Sequence, residues 1–228
     1  MSKKKLGIII AIVLLVLIIG FIGYQIYENS TLKKEGQKLL TANLASPKEF
    51  DSIKCLGKNR VVEETMKNYF YNNATKLNSL LAIKESKEFT SILSYENYEK
   101  DGPAFTNSLA YLEKNKSEFN QAIDEIINAY TEEAIEANGD SLNDKDKELY
   151  NEMMLTSAMK TKYESMRQSL ATEKVQMNSL FDTSYATLKL LVDNQNKWYL
   201  EENEIKITSK ELFAKYQEYM NVINKNKE

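Results

Sequence analysis

The chain has 228 residues, 30 Lys+Arg against 33 Asp+Glu, and is 43% hydrophobic. That is a globular balance, too apolar for disorder, and it allows one domain or two small ones. The chain has no histidine and a single cysteine, which excludes His-based triads, imidazole acid–base chemistry, His–metal sites, zinc fingers and intramolecular disulfides. Seven glycines and two prolines are few for a sandwich or barrel, whose tight turns need both.

Leu6–Gly23 carries no polar or charged side chain. As a helix it would span roughly 27 Å, close to the hydrocarbon thickness of a bilayer. A globular helix would show a polar stripe, which this run lacks. Tyr24 and Tyr27 follow it, suited to the headgroup level. No small-x-small cleavage pattern follows the run, and the only cysteine, Cys55, is too distant for lipoprotein processing. The expectation is a retained transmembrane anchor over residues 6–27. Lys3, Lys4 and Lys5 precede it and Glu28 follows it, which places residues 1–5 in the cytoplasm and 28–228 outside.

The exported part carries 30 − 3 = 27 basic and 33 acidic residues, a net of −6. That argues against nucleic acid or anionic lipid as the main partner. Only Arg60 and Arg167 are arginines, so bidentate capture of carboxylates or phosphates has little material. Lys-, Asn- and Ile-heavy usage fits an AT-rich bacterial genome. The lysine start, apolar run and tyrosine-bearing exit resemble bacterial single-pass anchors, that of the LemA family among them. The resemblance ends by about Thr31 and assigns no family.

Beyond the anchor the pattern is helical. Leu32, Leu39, Leu40 and Leu44 mark a first segment, Thr31–Ala45, weakened by Gly36. Ser46-Pro47-Lys48-Glu49 predicts a capped helix start running to about Leu56, ended by Gly57. Val62, Met66, Tyr69, Phe70, Leu77, Leu80 and Leu81 predict a helix over about 60–84, and a shorter one covers about 87–98. Asp101-Gly102-Pro103 reads as a turn. Phe105, Leu109, Leu112, Phe119, Ile123, Ile126 and Tyr130 form a seam that predicts a helix over 103–137. Asn138-Gly139-Asp140 closes it.

A stretch over about 144–194, without Pro or Gly, would reach about 75 Å as one helix, so a break near Asp182–Ser184 is expected. Trp198–Leu200 and Ile205–Ile207 read as two strands about a polar turn. Thr208 and Glu211 suggest a capping box for a last helix with the seam Leu212, Tyr216, Tyr219, Ile223. Breaks of a few residues favour antiparallel neighbours. The fold expected is mainly α: an N-terminal transmembrane helix, then an elongated antiparallel helical bundle with a small β-hairpin near the C-terminus.

No residue set stands out as catalytic, cofactor-binding or metal-ligating. Asp140, Asp144, Asp146 and Glu148 crowd one loop, but lack the glycine and terminal glutamate of a calcium loop. They read better as charges at a helix N-terminus. Glu132, Glu133 and Glu136 share a helix, as solvated carboxylates commonly do, without the His of di-metal bundles. Cys55 reads as a small buried hydrophobe, or as a thiol that links two chains. Tyr71 and Tyr98 read equally as core or interface residues. Trp198 reads as the hairpin's anchor. The sequons at Asn29, Asn73 and Asn115 are expected by chance in an Asn-rich chain.

Together these readings point to a non-enzymatic, membrane-anchored protein that binds or scaffolds other proteins at the bacterial envelope. Its expected partners are the bilayer, through the N-terminal helix, and another protein, with no cofactor and no nucleic acid. A small-ligand-binding or sensory bundle with a pocket around Trp198 is the alternative. An envelope hydrolase is a third reading, which needs two carboxylates facing each other across a cleft.

Overall fold

A computed structural model describes residues 27–225. The expected membrane helix over residues 6–27 lies outside them except for Tyr27, and no helix among the described residues is long and apolar enough to cross a membrane. The described chain is mainly helical, with one antiparallel two-stranded sheet near the C-terminus. The helices are α1 (residues 27–41), then α2 (Asn59–Leu81), α3 (Lys87–Thr90), α4 (Tyr95–Asp101), α5 (Thr106–Ala129) and α6 (Glu132–Asn138). They are followed by α7 (Asp144–Met154), α8 (Ser157–Val192), the strands β1 (Trp198–Glu201) and β2 (Glu204–Ile207), and α9 (Lys210–Lys225). The chain divides into two compact units. The first holds Thr131–Glu164 and the described part of Met1–Thr75; the second holds Lys76–Tyr130 and the described part of Ser165–Glu228.

In the first unit α1 and α2 run parallel. Asn59 Nδ2 donates to Asn29 Oδ1 at 3.0 Å, and Lys67 Nζ donates to Glu35 Oε2 at 2.6 Å, so numbers rise together along both helices. The expectation of antiparallel neighbours fails here because residues 42–58 carry the chain back to the start of α1. The core is built on Leu32, Val62, Met66, Phe70, Tyr150 and Met154, all fully buried. Phe70 packs its ring against Phe50 at 5.4 Å and Tyr163 at 6.2 Å, centroid separations at which aromatic pairs attract. Buried hydroxyls find acceptors: Tyr150 donates to Ile135 O at 2.9 Å and Tyr163 to Met154 O at 2.9 Å.

Segment 46–56 departs from the expected helix. Only Pro47–Phe50 forms a short 3-10 turn, and Ser46 makes no capping bond. Beyond it the backbone N–H groups of Lys54 and Cys55 donate to the Glu63 carboxylate, and that of Leu56 to Glu28. Donors given to side chains are not available for a helical ladder.

In the second unit α5 and α8 do run antiparallel. Lys116 pairs with Asp182, Asn120 with Asn178 and Asp124 with Lys174, one number rising as the other falls. The expected seam is buried at Phe105, Leu112, Phe119, Ile123, Ile126 and Tyr130. Asp101 starts α5, accepting the N–H groups of Asn107 and Ser108 at 3.2 and 2.7 Å. The seam continues past Ala129, but the helix does not: Thr131 caps α6 by accepting the Ala134 N–H at 3.3 Å. The expected helix over 87–98 is likewise split into α3 and α4, because Ser86 and Ser94 each cap one.

The expected break at Asp182–Ser184 is absent, since α8 continues through it. Ser184 and Thr187 are buried there, and Thr187 returns its hydroxyl to the Thr183 carbonyl at 2.7 Å, so the helix carries them without interruption. The long stretch breaks instead at Leu155–Thr156, where Thr156 Oγ1 caps the Met159 N–H at 3.2 Å.

The hairpin forms as expected. Trp198 pairs with Ile207 and Glu201 with Glu204. Glu202 and Asn203 make the turn at φ 49° and 61°, the two positive angles of a tight hairpin turn. Trp198 is 9% exposed and donates its indole N–H to Leu191 O at 2.8 Å, which anchors the hairpin on α8. The cap of α9 is Ser209, which accepts the Leu212 N–H at 3.3 Å. Thr208 instead closes the hairpin base through Lys197 O at 3.0 Å.

Candidate functional site

The most densely charged place in the first unit is inside it. Glu63 is fully buried, and Lys67, Glu28 and Glu35 are each no more than 5% exposed. Lys67 Nζ donates to Glu63 Oε1 at 2.6 Å, Glu35 Oε2 at 2.6 Å and Ser52 O at 2.7 Å, so all three ammonium protons are used. Glu63 also accepts the Cys55 N–H at 2.6 Å, and Lys38 reaches Glu35 Oε1 from the rim at 2.5 Å. Glu28 Oε1 accepts the Leu56 N–H at 3.3 Å, whereas its Oε2 is buried without a hydrogen-bond partner among the described residues.

The electrostatics suit structure rather than chemistry. Burial opposes the charge on Glu63, but Lys67 and the amides of Cys55 and Lys54 outweigh it and hold the carboxyl below its usual range. Glu35 is lowered in the same way, burial being outweighed by Lys38 and Lys67. Burial likewise opposes the charge on Lys67, and Glu35 and Glu63 reverse that to raise it. Burial, reinforced by Glu63, pushes the Cys55 thiol up to about 12. A fully donated ammonium and a thiol held protonated are not nucleophiles. What this cluster does is pin residues 52–56 to α1 and α2.

The residues that stood out in the sequence occupy varied places. Cys55 is 2% exposed, the small buried residue expected. Asp140 pairs with Lys147 at 2.7 Å and Asp146 with Asn143 Nδ2 at 2.6 Å, while Asn143, not an aspartate, caps α7. Among the described residues no group of three or more Cys, Asp or Glu is placed to hold a metal ion. Glu132, Glu133 and Glu136 are all exposed, and Glu132 pairs with Lys160 at 2.5 Å. Tyr98 is a core residue at 3% exposure, and Tyr71 is exposed at 40%. Sequence reasoning misses the buried charge cluster. Its one sequence signal is the pair Glu63 and Lys67, set i,i+4 on the stripe of Val62, Met66 and Phe70.

The second unit carries its polar–aromatic chemistry at the surface. A hollow of about 330 Å³ is lined by Leu93, Tyr95, Tyr98, Glu204, Ile205 and Tyr216. The Tyr98 and Tyr216 hydroxyls share a hydrogen bond at 3.1 Å. Burial raises both phenols, so both stay protonated donors. Behind the hollow Tyr98 packs edge-on against Phe105 at 5.4 Å, and Phe105 stacks on Trp198 at 5.9 Å. Tyr199 and Phe213 are about half exposed on the neighbouring hairpin and helix. A rigid aromatic floor with hydroxyls and one carboxylate suits an amphipathic side chain or peptide. No protein-family model, no curated protein and no solved structure matches the chain.

Proposed function

We propose that the protein is a single-pass, membrane-anchored helical bundle that binds another protein outside the cytoplasmic membrane, with the tyrosine-lined hollow of its second unit as contact surface. The observation that carries the reading is Tyr95, Tyr98 and Tyr216 converging with Leu93 and Ile205 on one open hollow. Tyrosines offer large contact area at small entropic loss. The hollow lies at the small end of ligand-pocket volumes and is open to solvent, so a protruding side chain or short segment suits it as occupant. Anchoring is supported by the uninterrupted apolar run Leu6–Gly23 and the lysines before it. Confinement to a membrane plane raises the effective concentration toward membrane partners.

Site-specific photocrosslinking in intact cells tests this. A photoreactive residue at Tyr95 is expected to give discrete adducts that weaken in Tyr216→Ala, with none from position Glu133. Adducts no stronger at Tyr95 than at Glu133 would refute the contact surface. Impermeant protease on spheroplasts is expected to remove residues beyond 27; full protection would refute the orientation.

A further inference from the structure

Exposed apolar and basic side chains gather beside residues 27–29 of α1, the first described residues. The Leu56 N–H and the Asn59 amide bond Glu28 and Asn29 at 3.3 and 3.0 Å, so the turn at Gly57 lies against the first residues of α1. Tyr27 is 62% exposed, Leu56 58% and Val61 48%. Lys54, Lys58 and Arg60 are exposed beside them. Arg60 is tied to Glu64 at 2.7 Å, which leaves Lys54 and Lys58 facing water. Lys58 also borders a shallow hollow with Lys145, Asp146 and Glu148, a rim of mixed sign.

The length of chain before this patch identifies what covers it. From Gly23, the last residue of the apolar run, to Tyr27 the backbone can reach at most about 14 Å in any conformation. The headgroup layer of a bilayer is itself about 5–8 Å deep on each side. A patch held against residues 28 and 29 is therefore within reach of that layer.

We propose that the Leu56–Val61 turn docks on the surface of the bilayer that holds Leu6–Gly23, with Leu56 and Val61 among the headgroups and Lys54 and Lys58 against anionic lipid. The proposal rests on the anchored reading above. Apolar area and attraction to anionic headgroups are the two contributions that drive interfacial binding. The patch adds a second foothold to the anchor and fixes the first unit's orientation on the membrane, since α2 leaves the turn parallel to α1.

The test uses the full chain in phosphatidylcholine vesicles with and without phosphatidylglycerol. An environment-sensitive fluorophore is attached at Leu56→Cys, at Lys58→Cys, and at Tyr71→Cys, which lies about 15 Å farther along α2 than Val61. Cys55 is buried with its thiol raised to about 12, and the unsubstituted chain gives its labelling background. Matching thermal melts show that each labelled chain keeps its fold. Blue-shifted emission at 56 and 58, quenched by headgroup-level nitroxide lipid, with water-like emission at 71, is expected. Water-like emission at 56 and 58 on chains that float with the vesicles overturns the patch and leaves the anchor standing. Chains that fail to float overturn both. Quenching at 56, on the chain that keeps both lysines, undiminished without phosphatidylglycerol overturns the role of Lys54 and Lys58.

Discussion

Lys67 of the first unit and Lys174 of the second each meet a carboxylate on a neighbouring helix, at 2.6 and 2.7 Å. Lys67 does so at 5% side-chain exposure, with Glu35 at 6% and Glu63 at 0%. Lys174 and Asp124 remain 28% and 52% exposed. The contact is nearly the same and its meaning is opposite. A solvated pair trades water for a partner at almost no net gain. A buried ion has lost its water already, so its partners are required for the fold to exist. The first unit therefore uses charge to specify a path, tying residues 52–56 into a parallel α1–α2 pair. The second uses apolar seams for cohesion, with Tyr98 and Tyr130 buried among them, and keeps its ion pairs at the surface.

Removing Lys67 should break this contrast most severely. Lys67→Met leaves the fully buried Glu63 without a cation and Glu35 with only Lys38 at the rim, and is expected to lower stability by about 3–5 kcal/mol, read by denaturant unfolding followed by circular dichroism. A loss as small as that of a surface pair would show the cluster to be well hydrated.

Titration approaches the same cluster without mutation. Glu35 and Glu63 are lowered from 4.5, so their stabilisation is complete above that value and is lost as pH falls through their folded values. Lys67 is raised from 10.5, so its share is complete below that value and is lost as pH rises past the folded one. Cys55 is raised from 9.0 to about 12, so the folded state holds its proton more tightly and stability falls from pH 9 upward. Thermal melts should show a plateau through neutral pH with declines on both sides. In Cys55→Ala the alkaline decline should start nearer 10.0, where the phenols of Tyr69, Tyr98, Tyr150 and Tyr216, all raised from that value by burial, take over.

A third probe separates packing from charge. A Cβ on Gly139 would lie 2.9 Å from Tyr150 Cδ1, and that ring is held by its hydroxyl bond to Ile135 O. Gly139→Ala should therefore destabilise by about 1–3 kcal/mol, as overpacking does. The smallest effect belongs to the second unit. Lys174→Met should change stability by less than about 1 kcal/mol, and less still at high salt.

Several elements were legible because their causes are local. The seam from Phe105 to Tyr130 is a period of apolar residues, and the hairpin follows from β-forming residues about a polar turn. Helix ends were less legible. Ser94, Thr131 and Thr156 each cap a helix inside a stretch that reads as continuous, because a cap competes with helix continuation by a narrow margin that neighbouring packing decides. The tyrosine hollow was legible only as a surplus of tyrosines; Tyr98 and Tyr216 meet through a tertiary contact between distant segments that no spacing encodes.

By itself the sequence determined the helical class, the apolar run at Leu6–Gly23, the exclusion of histidine chemistry, and which face of α5 and α9 is buried. All of these follow from composition or from periodicity along one element. Tertiary structure alone decided that segment 46–56 is not a helix, that α1 and α2 run parallel, and that Glu63 and Lys67 are interior. Each of those depends on Glu28, Glu35 and Glu63 meeting donors from distant segments, and the free energy of a buried charge is set by what surrounds it rather than by its place in the chain.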